Sequence, residues 1–230
     1  MVLYVHQPQY LPWPGYFDKI QRSDCFVFLD KVQYKPREYQ NRNKIRTKDG
    51  WLWLTVPVVS KDLGRQETGK VRIDNSFAWQ SRHWQSLKAC YGKARFFKDY
   101  SDFFEEIYTK KQWEKLIDLN IYITTYLLKE FSIDVPLRYE SEIGTSCSGT
   151  DRIIEICGKL KADIYLSGAG GKAYLEEEKF NRAGVKLIYQ DFVYPVYRQR
   201  FMSGKGDFIS HLSIVDLLFN EGPAGMARKP

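Results

Sequence analysis

The stretch VLYVHQPQYLPWPGYFDKIQRSDCFVFLD, residues 2–30, decides the fold. Its first five residues are apolar, β-branched or aromatic and stop at a proline-rich segment, so they read as a buried strand. After Pro14, GYFDKIQRS reads as a short helix with Phe17 and Ile20 turned inward. CFVFLDKVQY follows, nearly continuous in apolar character, as a second strand covered on both faces. Strand, short helix and strand within thirty residues make a βαβ start. That start puts His6 at the carboxyl end of the first strand, the edge where open parallel sheets bind ligands. A connection needs one or two turn residues, yet this one spends His6, two tyrosines, Trp13 and three prolines.

Working outward, Asp49-Gly50 between Lys44–Thr47 and Trp51–Val58 signals a β-hairpin, with Trp51, Trp53 and Thr55 alternating against Leu52, Leu54 and Val56. A polar loop leads on through Val71. From Ser76 to Phe131 the period becomes helical, and three helices broken near Gly92 and Lys110 are expected. The last hundred residues return to α/β alternation: strands in VPLRYES, DIYLSG and VKLIYQDF, helices in 150–160, AYLEEEKFNRAG and HLSIVDLLFN. Ser148 with Asp151, and Ser213 with Asp216, have capping-box spacing. Asp216 also has the look of a buried acid within an apolar helix. The expected fold is α/β, a mainly parallel Rossmann-like sheet flanked by helices, with a β-hairpin and a helical insertion. The expected division is an N-terminal α/β half with hairpin at 1–75, a helical layer or subdomain at 76–132, a C-terminal half completing the same sheet at 133–222, and a tail at 223–230.

The 230 residues are long enough for a substantial core, and 16% are aromatic, more than a core requires. A net charge of +7 suits nucleic acid, phosphorylated ligands or an anionic membrane face, or simply a basic soluble protein. With no Lys/Arg block, a phosphate-bearing small ligand ranks above long nucleic acid. The four cysteines show no zinc or redox spacing with the three histidines, so neither a tightly bound metal nor a redox cofactor is expected. No apolar run approaches a membrane span, and no secretory leader is apparent, so a cytoplasmic protein is expected.

Four stretches combine polar, aromatic or glycine residues with strand ends. In the first, His6, Gln7, Tyr10 and Trp13 stand before a helix amino terminus that can meet a phosphate. In the second, Asn41, Arg42 and Lys44 set forked cationic donors beside amides, against the ordinary reading of a solvated basic loop. The third, Ser167-Gly168-Ala-Gly170-Gly-Lys172-Ala-Tyr174, is a strand running into a turn whose glycines permit positive φ and close backbone approach and whose N–H groups and lysine suit an anion. It matches neither GxxxxGK[ST] nor GxGxxG. The fourth places Tyr194, Tyr197 and Gln199 at another strand end. No nucleophile constellation and no carboxylate cluster with metal spacing accompanies them.

Together, HQPQYLPWPGYFDKI, FVFLDKVQY with NRNKIRT and WLWLTVPV, IYLSGAGGKAYL, and YQDFVYPVYRQ with LSIVDLLFNEG resemble the WbqC-like protein family, in order and over nearly the whole chain. The resemblance implies a place in bacterial O-antigen or other surface-glycan gene clusters. It also implies, for some members, transfer of glycine or another amino acid to an amino sugar. Its motif positions here are His6, Gln7, Tyr10, Asn41, Arg42, Ser167, Gly168 and Tyr174. A fold-level analogy to HUP-type adenylate-forming enzymes adds ATP with Mg²⁺ as the cofactor, although the HxGH signature of that group is absent.

The expected function is therefore an acyl or aminoacyl (glycyl-type) transferase or ATP-dependent amide ligase acting on a nucleotide-linked amino sugar in bacterial surface-glycan or related biosynthesis. His6, Ser167 and Lys172 are the expected catalytic residues. Its small-molecule partners are an amino acid or acyl donor and an amino sugar or nucleotide sugar, with aminoacyl-tRNA as the alternative donor and a homodimer as the candidate assembly. A non-catalytic sugar-nucleotide-binding protein and a nucleotidyltransferase on a sugar phosphate are the competing readings.

Overall fold

The structure is a computed structural model that describes residues 1–60 and 64–226. In chain order its elements are β1 (Val2–His6), α1 (Pro14–Gln21), β2 (Cys25–Phe28), β3 (Arg42–Thr47), β4 (Gly50–Thr55), α2 (Trp79–Tyr91), α3 (Phe97–Glu105), α4 (Leu116–Glu130), β5 (Leu137–Tyr139), α5 (Glu140–Ile143), α6 (Gly149–Leu160), β6 (Ile164–Ser167), α7 (Glu177–Arg182), β7 (Lys186–Tyr189) and α8 (Ile214–Glu221). They fall into two compact units: Met1–Pro8, Gly15–Val32 and Ile133–Phe192 in the first, Gln9–Pro14, Gln33–Ser132 and Val193–Pro230 in the second.

The first unit is built on a five-stranded sheet in the order β5-β2-β1-β6-β7, every pair parallel. Numbered along the chain, those strands lie 3-2-1-4-5, so the order reverses between β1 and β6. Leu3 and Val5 of β1, Cys25 and Val27 of β2, and Tyr165 of β6 share one core with Ile153, Ile156 and Cys157 of α6 and Phe180 of α7. On the other side of the pleat, Tyr4 stacks on Phe26 at 5.0 Å and meets Tyr16 of α1 edge-on. Alternate residues of β1 and β2 thus bury opposite faces, which is why both strands read as unbroken apolar runs. Each large side chain so buried contributes about 2 kcal/mol.

Two expectations shift in this unit. Ser148 stands at the N-cap of α6 without a side-chain capping bond, and Asp151 pairs with Lys179 at 2.8 Å instead of closing a capping box. The helix expected over AYLEEEKFNRAG forms only at Glu177–Arg182, because the chain first makes a tight 3₁₀ turn, Ala169–Ala173.

The second unit contains the antiparallel hairpin β3–β4 and the helices α2, α3, α4 and α8. Thr47 pairs with Gly50, so the turn is Lys48-Asp49, and the left-handed φ falls on Gly50 at +127°. Asp49-Gly50 marks the right place, one residue late. Breaks follow Tyr91 and Lys110, the second after a π-turn, Glu106–Lys110. Ser213 does cap α8, accepting from Val215 N–H at 3.3 Å. Pro223–Met226 forms a 3₁₀ turn, while the rest of the expected tail (227–230) and positions 61–63 of the polar loop lie outside the described residues. Among the described residues no helix is long and apolar enough to cross a membrane.

Candidate functional site

In a doubly wound sheet, the strand ends on either side of the order reversal splay apart and leave a crevice at their carboxyl edge. Here that edge carries His6, the last residue of β1, and Ser167, the last of β6. Helix α1 adds a residue that the sequence reading passed over, Lys19. Its side chain is buried (5% exposed), its Nζ sits 4.6 Å from the centre of the Tyr4 ring, and a Cβ on Gly168 would stand 2.9 Å from that nitrogen.

The electrostatics of this group follow from burial. Lys19 forms no ion pair among the described residues, since neighbouring Asp18 turns its carboxylate to Arg22 Nε (2.9 Å) and Gln190 Nε2 (2.6 Å). Burial pushes the Lys19 ammonium down to about 8, with Asp18 opposing. Burial, then the Lys19 charge, push the half-buried His6 imidazole down to about 3 against the support of the Gln7 carbonyl. His6 is therefore neutral. Its Nδ1 lies 3.0 Å from the Gln7 carbonyl oxygen, which can only accept, so the ring proton is on Nδ1 and the Nε2 lone pair is open. The Tyr16 hydroxyl donates to that same carbonyl at 3.3 Å. Beneath them the Tyr4 hydroxyl is buried with no hydrogen-bond partner. An unpaired cation, an open imidazole nitrogen and an unspent hydroxyl thus share one corner of the sheet.

The Ser167 turn is tighter than an anion cradle requires. Ser167 Oγ donates to the Gly168 carbonyl at 3.1 Å, and a Cβ on Gly171 would stand 2.1 Å from that Oγ. None of Gly168, Gly170 and Gly171 has a positive φ; close approach, at Gly171, is what the turn demands. Gly170 and Lys172 are exposed, with Lys172 Nζ 5.2 Å from the centre of the Tyr189 ring. Tyr174 is 67% exposed.

The remaining sequence candidates belong to the second unit and are described there. Tyr10 is fully buried; its hydroxyl shares hydrogen bonds with His83 Nδ1 at 2.8 Å and with the Tyr108 hydroxyl. Asn41 is buried and donates to the Val56 carbonyl at 2.9 Å, bracing the end of the hairpin. Trp13 stacks on His211 at 5.6 Å, and Tyr194 meets the same imidazole. Tyr197 and Gln199 are interior: the Tyr197 hydroxyl (2.7 Å) and Gln199 Nε2 (3.0 Å) donate to the Asp216 carboxylate, as does the Tyr91 hydroxyl (2.8 Å). Arg42 and Lys44 lie on the hairpin over Trp53 and Trp51, each at 4.2 Å. Among the described residues no three His, Cys, Asp or Glu side chains gather as a metal ion would need.

A profile of the WbqC-like protein family matches residues 7–228. Rv1507c, an uncharacterized protein of Mycobacterium tuberculosis, is 32% identical over 217 residues, covering 94% of this chain and 92% of its own length. No solved structure matches significantly.

Proposed function

The chain belongs to the WbqC-like protein family, and we propose on that footing that it is an acyl- or aminoacyl-transfer enzyme that forms an amide on an amino sugar, carried on a nucleotide, in bacterial surface-glycan or related biosynthesis. The observation that carries the reading is the unpaired, buried ammonium of Lys19 beside the open Nε2 of His6 at the order reversal of the sheet.

The chemistry fits those two groups. As the amine nitrogen bonds to the acyl carbon, its proton passes to His6 Nε2, and the bond from that carbon to the leaving oxygen breaks. Negative charge grows on the carbonyl and leaving oxygens, where a fixed, poorly solvated ammonium such as Lys19 is most effective. An anionic donor also raises the pKa of both groups, restoring Lys19 to full charge and making His6 a stronger base. The Tyr4 hydroxyl, buried without a hydrogen-bond partner, would accept a hydrogen bond from the amine or donate one to the carbonyl. Ser167 and Lys172 were the residues expected to act; Lys19 now takes the place given to Lys172, and Ser167 shapes the turn.

ATP suits the donor side in charge: Lys19 and the backbone of the Gly168 turn would hold its phosphates, and it would supply activation of a carboxylate. Magnesium would come with the nucleotide. Aminoacyl-tRNA is the other donor consistent with the site.

Pyrophosphate exchange with ATP and single amino acids, followed by transfer to a nucleotide-linked amino sugar, tests the reading. Lys19→Met and His6→Asn should each lower turnover at least a hundredfold. Exchange absent with every amino acid removes ATP as donor; transfer absent from aminoacyl-tRNA as well sinks the enzyme reading. A nucleotide sugar bound without turnover would then favour the binding-protein alternative, to which the low pKa of His6 in the free protein also lends support.

A further inference from the structure

We propose that the outer face of the β3–β4 hairpin is a binding strip for single-stranded RNA. Residues opposite one another in an antiparallel pair share a face, and the register pairs Arg42 with Thr55, Lys44 with Trp53 and Arg46 with Trp51. The opposite face carries Asn43 and Ile45, both buried. On the outer face cations and rings interleave. Arg42 lies 4.2 Å from the Trp53 ring centre; Lys44 lies 4.2 Å from that of Trp51 and 5.1 Å from that of Trp53; the two indoles meet edge-on at 5.7 Å. Trp51 is 45% exposed, an unusual position for so large an apolar ring.

Charge selects the occupant. Neither Arg42 nor Lys44 forms an ion pair among the described residues. Along the strand and its turn the chain has Arg42, Lys44 and Lys48 against one carboxylate, Asp49, while Arg46 is buried and donates its Nε to the Arg200 carbonyl at 3.3 Å. A neutral glycan would leave these cations unanswered, whereas a single strand offers phosphates to them and bases to the indoles. At the hairpin's base the Tyr34 hydroxyl and Arg42 Nε are buried without partners, so hydrogen-bonding capacity remains beside the first cation. The sequence shows no basic block because alternate residues of a strand, with Asn43 and Ile45 between them, assemble the charge on one face.

The choice of RNA over DNA rests on the acyl-transfer reading, in which the 3′ end of an aminoacyl-tRNA is one donor. The measurement needs no turnover, so the two ideas fail separately: exchange with ATP but no RNA binding ends this inference alone, and RNA binding without transfer ends the other. The probe is a fluorescein-labelled RNA of about 12 nucleotides, within the span of a single-strand site, read by anisotropy at about 50 mM salt. Binding is expected with a micromolar Kd. Trp51→Ala and Lys44→Gln should each weaken it about tenfold, and Lys44→Gln should lower the slope of log K against log salt by about 0.7. Lys93→Gln removes the same charge from an exposed position elsewhere and should change affinity less than about twofold. Circular dichroism confirms that each variant is folded. No binding by folded protein at about 100 µM overturns the proposal. So does equal weakening by Lys44→Gln and Lys93→Gln, which would mean diffuse charge, and so does equal affinity for DNA of the same sequence.

Discussion

With its ammonium over the Tyr4 ring and no carboxylate bonded to it, Lys19 holds a charge that burial disfavours, and its pKa falls from 10.5 to about 8. The folded protein therefore binds its proton less tightly than the unfolded chain does. Below pH 8 the buried charge costs about 3 kcal/mol of stability; between pH 8 and 10.5 that cost fades, because the folded state alone has shed the proton. Lys19→Met keeps the stem and removes the charge. At pH 7 it should raise the urea midpoint, by up to about 3 kcal/mol in stability, while abolishing transfer. A variant less stable than the parent would show that the ammonium is structurally compensated and is no ligand site. Residue type alone did not reveal this role. Lysine in PGYFDKIQ reads as the solvated side of a short helix, and the available signal is that Tyr16, three residues earlier, shares its face. Tyr10, Tyr197 and Gln199 err the other way. Their polar edges suggested a ligand surface, but those edges are spent on His83, Tyr108 and Asp216 in the interior. A sequence gives what a side chain can bond; direction comes only with the packing.

At the scale of elements, strands were legible because burial on both faces leaves unbroken apolar runs, whereas the order reversal between β1 and β6 came only with the strand pairing. The glycine-rich turn after β6 was found for a reason only half correct. Its glycines do not need left-handed φ; Gly171 is required because Ser167 Oγ and Leu175 Cδ1 would stand 2.1 and 2.9 Å from any Cβ there. Gly171→Ala should cost about 2 kcal/mol by overpacking. Adding Ser167→Ala removes the nearer atom and should recover more than half of that loss, measured as a double-mutant cycle in urea. Additive losses would place the conflict elsewhere. Helix α8 makes a parallel case. The spacing of Ser213 and Asp216 suggested a capping box, but the Asp216 carboxylate is taken by Tyr91 of α2 and by Tyr197 and Gln199 of the loop segment before α8. Asp216→Ala takes the acceptor from the buried Tyr91 and Tyr197 hydroxyls, while Gln199 Nε2 keeps the Ile209 carbonyl, and should cost about 3 kcal/mol or more. Loss of less than about 1 kcal/mol would mean that water replaces the carboxylate.

For the molecule as a whole, the two units carry different acid sensitivities. In the first, His6 has its pKa lowered from 6.5 to about 3, so the unfolded chain takes up a proton that the folded one refuses as pH falls below 6.5. Between pH 7 and 5 this removes about 2 kcal/mol. In the second unit His83, lowered to about 4 by burial, acts in the same direction. Asp216 acts in the opposite one. Burial raises it from 3.8 to about 6, so the folded state takes up its proton first and gains stability as pH falls from 6 toward 3.8. The two offset each other to within about 0.5 kcal/mol over the same interval. All six tryptophans, Trp13, Trp51, Trp53, Trp79, Trp84 and Trp113, lie in the second unit, so indole emission reports that unit alone. Urea unfolding followed by tryptophan emission should keep nearly the same midpoint at pH 7 and pH 5. Hydrogen exchange at the amides of β1 and β6 should reveal a first unit weakened by about 2 kcal/mol over that interval. His6→Gln removes the group responsible and should flatten the second curve while leaving the first unmoved. If both probes instead fall together at pH 5, and His6→Gln rescues both, the units unfold as one cooperative body and His6 sets the acid limit of the entire chain.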